Sequence, residues 1–240
     1  MITMILRIGL LLGLGLAAPV LQGEIVKPAA EMLPTEKPRH VVLIGASIGQ
    51  QWNLSELSQR MNERRYTFEA LQAWQYDKSE VVDETLMRPS RKFRLSMGYL
   101  KGFLRPTPEV ANLIILKECS SYFPGDMQRN KDYMRRWVQE IRQKNIPVML
   151  ATVVPVTRER ALRDPGKQEA LREFNDWLRA YTQQEGLPLL DLEQALRTDD
   201  KQRYLRDDLT SGDGSHLNHK AYDILDQQLI KSVSILLPAR

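Results

Sequence analysis

The sequence predicts an α/β fold with a mostly parallel sheet of five strands, and two observations carry that prediction. The first is a set of continuous apolar runs. Val41-Val42-Leu43-Ile44 stops at Gly45, as expected of a strand covered on both faces by helices. Residues 112–116 and 147–154 repeat the pattern, and residues 66–74 and 187–192 are weaker versions of it. The second is helical periodicity between those runs. Met134, Trp137, Val138 and Ile141 recur on one face, as do Leu171, Phe174, Leu178 and Tyr181. The latter helix is expected to stop at Gly186, a residue suited to the left-handed conformation of a C-terminal cap. A last helix is expected over about residues 218–236, with Ala221, Leu225 and Leu229 inward.

Alternation of strands and helices through right-handed crossovers places the carboxyl ends of all strands on one edge, where ligands of such sheets bind. Ser47 follows the first strand, residues 76–78 the second and residues 117–121 the third. His216 is expected to open the final helix. Segments far apart in sequence are therefore predicted to meet in one crevice.

The residues brought there suit nucleophilic catalysis. Gly45-Ala46-Ser47 puts a serine on a tight turn, and Asp213-Gly214-Ser215-His216-Leu217-Asn218 places a carboxylate three residues before an imidazole. A serine hydroxyl is a poor nucleophile until a base takes its proton, and that base works best when a carboxylate fixes its tautomer. Ser47, His216 and Asp213 are the candidates for these roles. Each signal is weak alone: small residues suit any strand-to-helix turn, Asp213 between Gly212 and Gly214 suits a turn, and His216 suits a cap. A metal site built on Asp213, His216 and His219 lacks further ligands in the sequence. Cys119, the single cysteine, is a second nucleophile candidate, ranked below Ser47 because a lone cysteine more often packs in the interior.

These motifs resemble those of the SGNH, or GDSL-type, hydrolases: Val-Leu-Ile-Gly-Ala-Ser at residues 42–47, and Asp-Gly-Ser-His-Leu-Asn at 213–218 ahead of an amphipathic helix. The resemblance spans residues 40–236. It implies a three-layer α/β/α sandwich with a flavodoxin-like sheet, an acyl-serine intermediate, and ester hydrolysis without a metal or other cofactor. It also implies that the Ser47 backbone N–H is one oxyanion donor. Ala46 stands where the family usually has Asp. The family's Gly after strand two and Asn after strand three, both oxyanion donors, are absent. The corresponding stretches read Trp74-Gln75-Tyr76-Asp77-Lys78 and Lys117-Glu118-Cys119-Ser120. Asp77, Lys78, Glu118, Cys119 and Ser120 are the candidate oxyanion or substrate-binding residues, with Ser121 beside them. Glu118 opposes a developing oxyanion unless it pairs with Lys78 or Lys117.

The remaining features bound the function. A net charge of +4 from 34 basic and 30 acidic residues is too small to argue for nucleic acid. Residues 1–23, with Arg7 before an apolar run and small residues at its end, read as a cleaved export signal, an uncleaved anchor being the alternative. Residues 24–39 read as a tether, and 40–240 as one hydrolase-like domain. With one cysteine, no intrachain disulfide can form. Residues 88–105 carry six basic and no acidic side chains. They are expected to form the crossover between strands two and three, a lid touching membrane or acidic polysaccharide being the sharper alternative. Gln50, Gln51 and Trp52 are expected to contribute to the pocket. Tyr122 and Phe123 either shape it or pack beneath the next helix. The sequence thus predicts an exported esterase acting on a lipid, carbohydrate or small-metabolite ester. Acyl transfer to a polysaccharide and a silent carbohydrate-binding or assembly role are the alternatives.

Overall fold

A computed structural model describes residues 37–88 and 109–238. The proposed export signal, nearly all of the tether, and the basic segment beyond Arg88 lie outside the described residues. No described helix is long and apolar enough to cross a membrane.

Five parallel strands form one sheet in the order β2-β1-β3-β4-β5, the arrangement in which the crevice opens between β1 and β3. They are β1 (Arg39–Gly45), β2 (Tyr66–Gln72), β3 (Leu113–Lys117), β4 (Val148–Ala151) and β5 (Leu189–Leu190). Among the described residues the helices are α1 (Ser47–Gln51), α2 (Leu57–Arg60), α3 (Ser79–Leu86), α4 (Met127–Gln143), α5 (Arg158–Arg163), α6 (Lys167–Glu185), α7 (Leu192–Leu196) and α8 (His219–Leu236). Because side chains alternate along a strand, the sheet feeds two apolar layers. Val41, Leu43, Leu113 and Ile115 pack with Ile48, Trp52, Leu192, Ala221, Leu225 and Leu229. Val42, Ile44, Ile114 and Leu116 pack with Val82, Trp137, Ile141, Phe174 and Leu178 on the other face. The three-layer α/β/α sandwich is the result.

Three apolar runs are longer than the strands they feed, the run at 66–74 by only two residues beyond Gln72. The run at 147–154 leaves the sheet after Ala151 because side chains take over its backbone pairing. The Asn175 amide accepts from Val153 N and donates to Val153 O, both at 2.8 Å, and Gln168 Oε1 accepts from Val156 N at 3.1 Å. The run at 187–192 yields a two-residue β5, because the Asp191 carboxylate accepts from Gln194 N at 3.0 Å and starts α7. Gly186 caps α6 at φ 63°, as the sequence predicts. The final helix begins at His219, its N-cap Asn218 accepting from Ala221 N at 3.1 Å. His216 therefore precedes the helix instead of opening it.

Trp52 belongs to the core and not to a pocket. Its indole N–H donates to Asp226 Oδ1 at 2.7 Å, and Arg60 donates to both Asp226 oxygens at 3.0 Å. Asp226 is buried on α8, so this cluster fixes the register of α8 against α1 and α2. Asp226→Ala is expected to cost about 2–4 kcal/mol, because it strands the indole donor and a partly buried guanidinium. Urea unfolding measures the loss, and an unchanged midpoint at an unchanged slope would contradict the cluster's role.

Candidate active site

Ser47 is the first residue of α1, at the carboxyl end of β1. It is half-buried, and the preceding Ala46 is buried. The helix lies close on the sheet: a Cβ built on Gly49 would sit 2.7 Å from Leu43 Cδ2. A larger residue at 49 would push the first turn away from β1. The opening N–H groups of a helix have no acceptor within it, so the Ser47 amide is free of helical pairing.

The loop carrying Asp213 and His216 is tied at each residue. Asp213 Oδ1 accepts from Ser215 N and His216 N, each at 2.8 Å, while Oδ2 meets His216 Nδ1 at 2.5 Å. Burial pushes the Asp213 carboxyl up, but the hydrogen bonds from His216 and Ser215 outweigh it and hold Asp213 down at about 2. An ionised carboxylate only accepts, so Nδ1 carries the proton in this contact, and in the neutral imidazole Nε2 is the acceptor. Gly214, at φ 78°, has no room for a side chain: a Cβ there would stand 2.5 Å from Thr157 Oγ1. Its carbonyl accepts from Thr157 N at 2.9 Å, which pins the loop to the segment after β4. Thr210 Oγ1 accepts from Gly214 N at 3.1 Å and bonds His216 O at the same distance.

The segment that follows Ser47 and the segment that follows His216 approach each other here. Ile48, beside Ser47, and Leu217, beside His216, pack in one apolar cluster. The Tyr222 hydroxyl on the first turn of α8 reaches Ile48 O at 3.4 Å, and its ring lies 6.2 Å from that of Trp52.

The other sequence candidates occupy the turns after β2 and β3. Lys78 Nζ donates to Glu118 Oε2 at 2.6 Å, so Lys78 is the partner Glu118 takes for its carboxylate. Both side chains are 1% exposed, as is Lys117, whose Nζ donates to Glu118 O at 2.8 Å. Burial pushes the Glu118 carboxyl above its ordinary range, with Lys78 opposing that push, and burial pulls Lys117 below the usual lysine range. Lys78 also lies 4.9 Å from the Tyr122 ring centroid and 5.3 Å from that of Trp137. The Lys78 and Glu118 side chains are thus spent on each other in the interior. Asp77 is exposed and accepts from Ser79 N at 3.0 Å and from Arg136 at 3.0 Å, so its carboxylate faces α3 and α4. Cys119 is buried, with Ser121 Oγ donating to its sulfur at 3.0 Å. Ser120, half-buried, opens a short turn ending at Tyr122.

A brace between these two turns escaped sequence reasoning. The Tyr122 hydroxyl shares its one proton between Ala73 O at 3.2 Å and Gln75 O at 3.1 Å, Tyr76 OH bonds Tyr122 O, and the two rings stack at 4.4 Å. Phe123 packs inward, 5.1 Å from the Phe174 ring. Only the aromatic content of both turns hinted at this. Among the described residues no group of three or more His, Cys, Asp or Glu is placed to hold a metal ion.

A family model described as GDSL-like Lipase/Acylhydrolase matches residues 120–224, a span that includes Asp213 and His216 and begins beyond Ser47. No curated protein matches the chain in sequence. Solved structures do match in fold. A GDSL-like lipase from Bacteroides thetaiotaomicron VPI-5482 is 15% identical with a TM-score of 0.59, covering 85% of this chain and 92% of its own. A putative acylhydrolase from Bacteroides fragilis NCTC 9343 is 17% identical with a TM-score of 0.58, over 84% and 92%. The lipase/acylhydrolase from Enterococcus faecalis is 16% identical with a TM-score of 0.57, over 84% and 98%. The family match supports ester hydrolysis as the general class of chemistry. The chain thus has the fold of the SGNH/GDSL hydrolases, and its residues 120–224 match the GDSL-like lipase/acylhydrolase family.

Proposed function

We propose that the protein is an exported serine esterase that cleaves a carboxylic ester of a lipid, a carbohydrate or a small metabolite. Ser47 Oγ attacks the carbonyl carbon while His216 Nε2 takes the hydroxyl proton, and the carbonyl electron pair moves onto oxygen. The Ser47 N–H donates to that oxyanion. Collapse expels the alkoxide, which leaves with the proton from His216, and an acyl-serine remains. Water then attacks the acyl carbon, giving its proton to His216; the acid departs and Ser47 regains a proton. Asp213 stays ionised throughout and steadies the imidazolium.

The observation that carries the reading is the Asp213–His216 contact at 2.5 Å. It sits in a loop whose backbone is fixed on both sides and stands on the same sheet edge as Ser47. Export rests on the pattern of residues 1–23. The test is hydrolysis of p-nitrophenyl acetate by the protein and by Ser47→Ala. Ser47→Ala is expected to lose about 10³-fold or more in kcat. Equal rates for the two proteins would remove Ser47 from the chemistry.

A further inference from the structure

Three ionisable side chains, Lys78, Lys117 and Glu118, are each 1% exposed at the carboxyl edge of the sheet. Burying three such groups together is costly unless they are paired. The pairing is unequal. The Glu118 carboxylate is claimed by Lys78, on the face that carries Trp137 and Tyr122. Lys117, next in the chain, projects to the opposite face, because side chains alternate along a strand. Among the described residues its hydrogen-bond acceptor is the Glu118 carbonyl, a neutral group. The cluster therefore holds two lysines against one carboxylate, and among the described residues Lys117 is the one without a carboxylate partner.

The Lys117 side is where the nucleophile stands. Ile44 pairs with Leu116 in the β1–β3 register, which sets Gly45 beside Lys117. A Cβ built on Gly45 would lie 3.6 Å from Lys117 Cβ and 3.2 Å from Leu43 Cδ2, so all three share one face. Leu43 Cδ2 is also the atom that Gly49 of α1 approaches. The first turn of α1, which Ser47 begins, thus covers the face from which Lys117 projects.

We propose that Lys117 is an electrostatic residue of the active site, a buried cation beneath the Ser47 turn that stabilises the negative charge formed when Ser47 adds to an ester carbonyl. This rests on the esterase reading above. A charge held out of water acts strongly over several ångströms, and a fixed charge needs no reorganisation as the reaction proceeds. The ammonium stays under the protein surface and acts through space, so it contributes to the charged transition state and little to binding of the neutral ester. Lys78 has the complementary task of holding Glu118 on the far face, where its negative charge is cancelled.

The experiment measures two rates on the full chain and its variants: hydrolysis of p-nitrophenyl acetate, and phosphonylation by a fluorophosphonate. In the latter the Ser47 Oγ–P bond forms, fluoride leaves and the hydroxyl proton passes to His216. Lys117→Met and Lys117→Gln are expected to lower kcat and the phosphonylation rate about 10- to 100-fold with KM within about twofold. Lys117→Arg, which keeps the charge, should remain within about threefold of the wild-type rates. Neutralising a buried charge whose acceptor is a carbonyl is expected to leave the melting temperature little changed, and two neutral variants guard against one failing to fold. If a folded neutral variant reacts within threefold of wild type, or if Arg is no better than Met, the proposal is overturned. If instead the wild-type protein is not phosphonylated at all, it is the esterase reading that fails, and Lys117 loses its role with it.

Discussion

His216→Ala is expected to lower kcat for p-nitrophenyl acetate by about 10⁴- to 10⁶-fold, the loss seen when a serine nucleophile is deprived of its base. KM should move little, because the imidazole acts on the proton of Ser47 and not on the ester in its ground state. The expectation is specific to this site because the loop leaves the imidazole a single arrangement. Nδ1 is held by Asp213 Oδ2 at 2.5 Å, the backbone N–H of His216 by Oδ1 at 2.8 Å, and the carbonyl by Thr210 and Ser211. With Asp213 held at about 2, its carboxylate remains charged across neutral and mildly acidic pH, so acid inactivation should not arise from its protonation. A His216→Ala protein that retains more than a tenth of the wild-type kcat would show that another group takes the proton.

Lys78→Met is expected to destabilise the fold by about 3–5 kcal/mol, the largest stability effect anticipated outside the apolar core. The substitution leaves the Glu118 carboxylate at 1% exposure without its partner at 2.6 Å, and that carboxyl is already pushed up by burial. Lys78→Met combined with Glu118→Met should recover most of the loss, because an apolar pair carries no desolvation cost in an interior lined by Trp137 and Tyr122. Urea unfolding of the wild type and the two variants measures both expectations. A single substitution as stable as wild type would mean that the ion pair contributes no net stability where it lies.

Much of this architecture was legible in residue order because burial writes itself into sequence. Val41 to Ile44 and Leu113 to Leu116 are apolar throughout since helices cover both faces of a central strand, and the 3.6-residue periodicity of Trp137, Val138 and Ile141 reports the side that meets the sheet. The strand ends were not legible. Residues 152–154 and 191–192 belong to the apolar runs, yet Asn175 and the Asp191 cap draw their backbones out of the ladder, and Gln168 holds Val156 just beyond the first run. Those partners lie 12 to 22 residues away for the first run and three for the second, and no local pattern marks them.

In the site, Asp213 and His216 were readable because their partnership is local. Trp52 was misread as a pocket residue, since its partner Asp226 lies 174 residues further on. The Lys78–Glu118 pair stood among two alternatives, because sequence cannot tell Lys78 from Lys117 as the nearer cation. Strand alternation decides it: Glu118 and Lys117 leave β3 on opposite faces, and the Lys78 ammonium reaches the Glu118 side.

The central claim is that Ser47 is a nucleophile served by His216, and covalent labelling tests it most directly. The full chain is treated with a fluorophosphonate and its peptides are mapped by mass spectrometry, with Ser47→Ala and His216→Ala treated in parallel. The account predicts one adduct per chain on Ser47, none on Ser47→Ala, and labelling of His216→Ala slowed by orders of magnitude. An unlabelled wild-type protein, or an adduct on Ser120, Ser121 or Ser215 with Ser47 untouched, would contradict it.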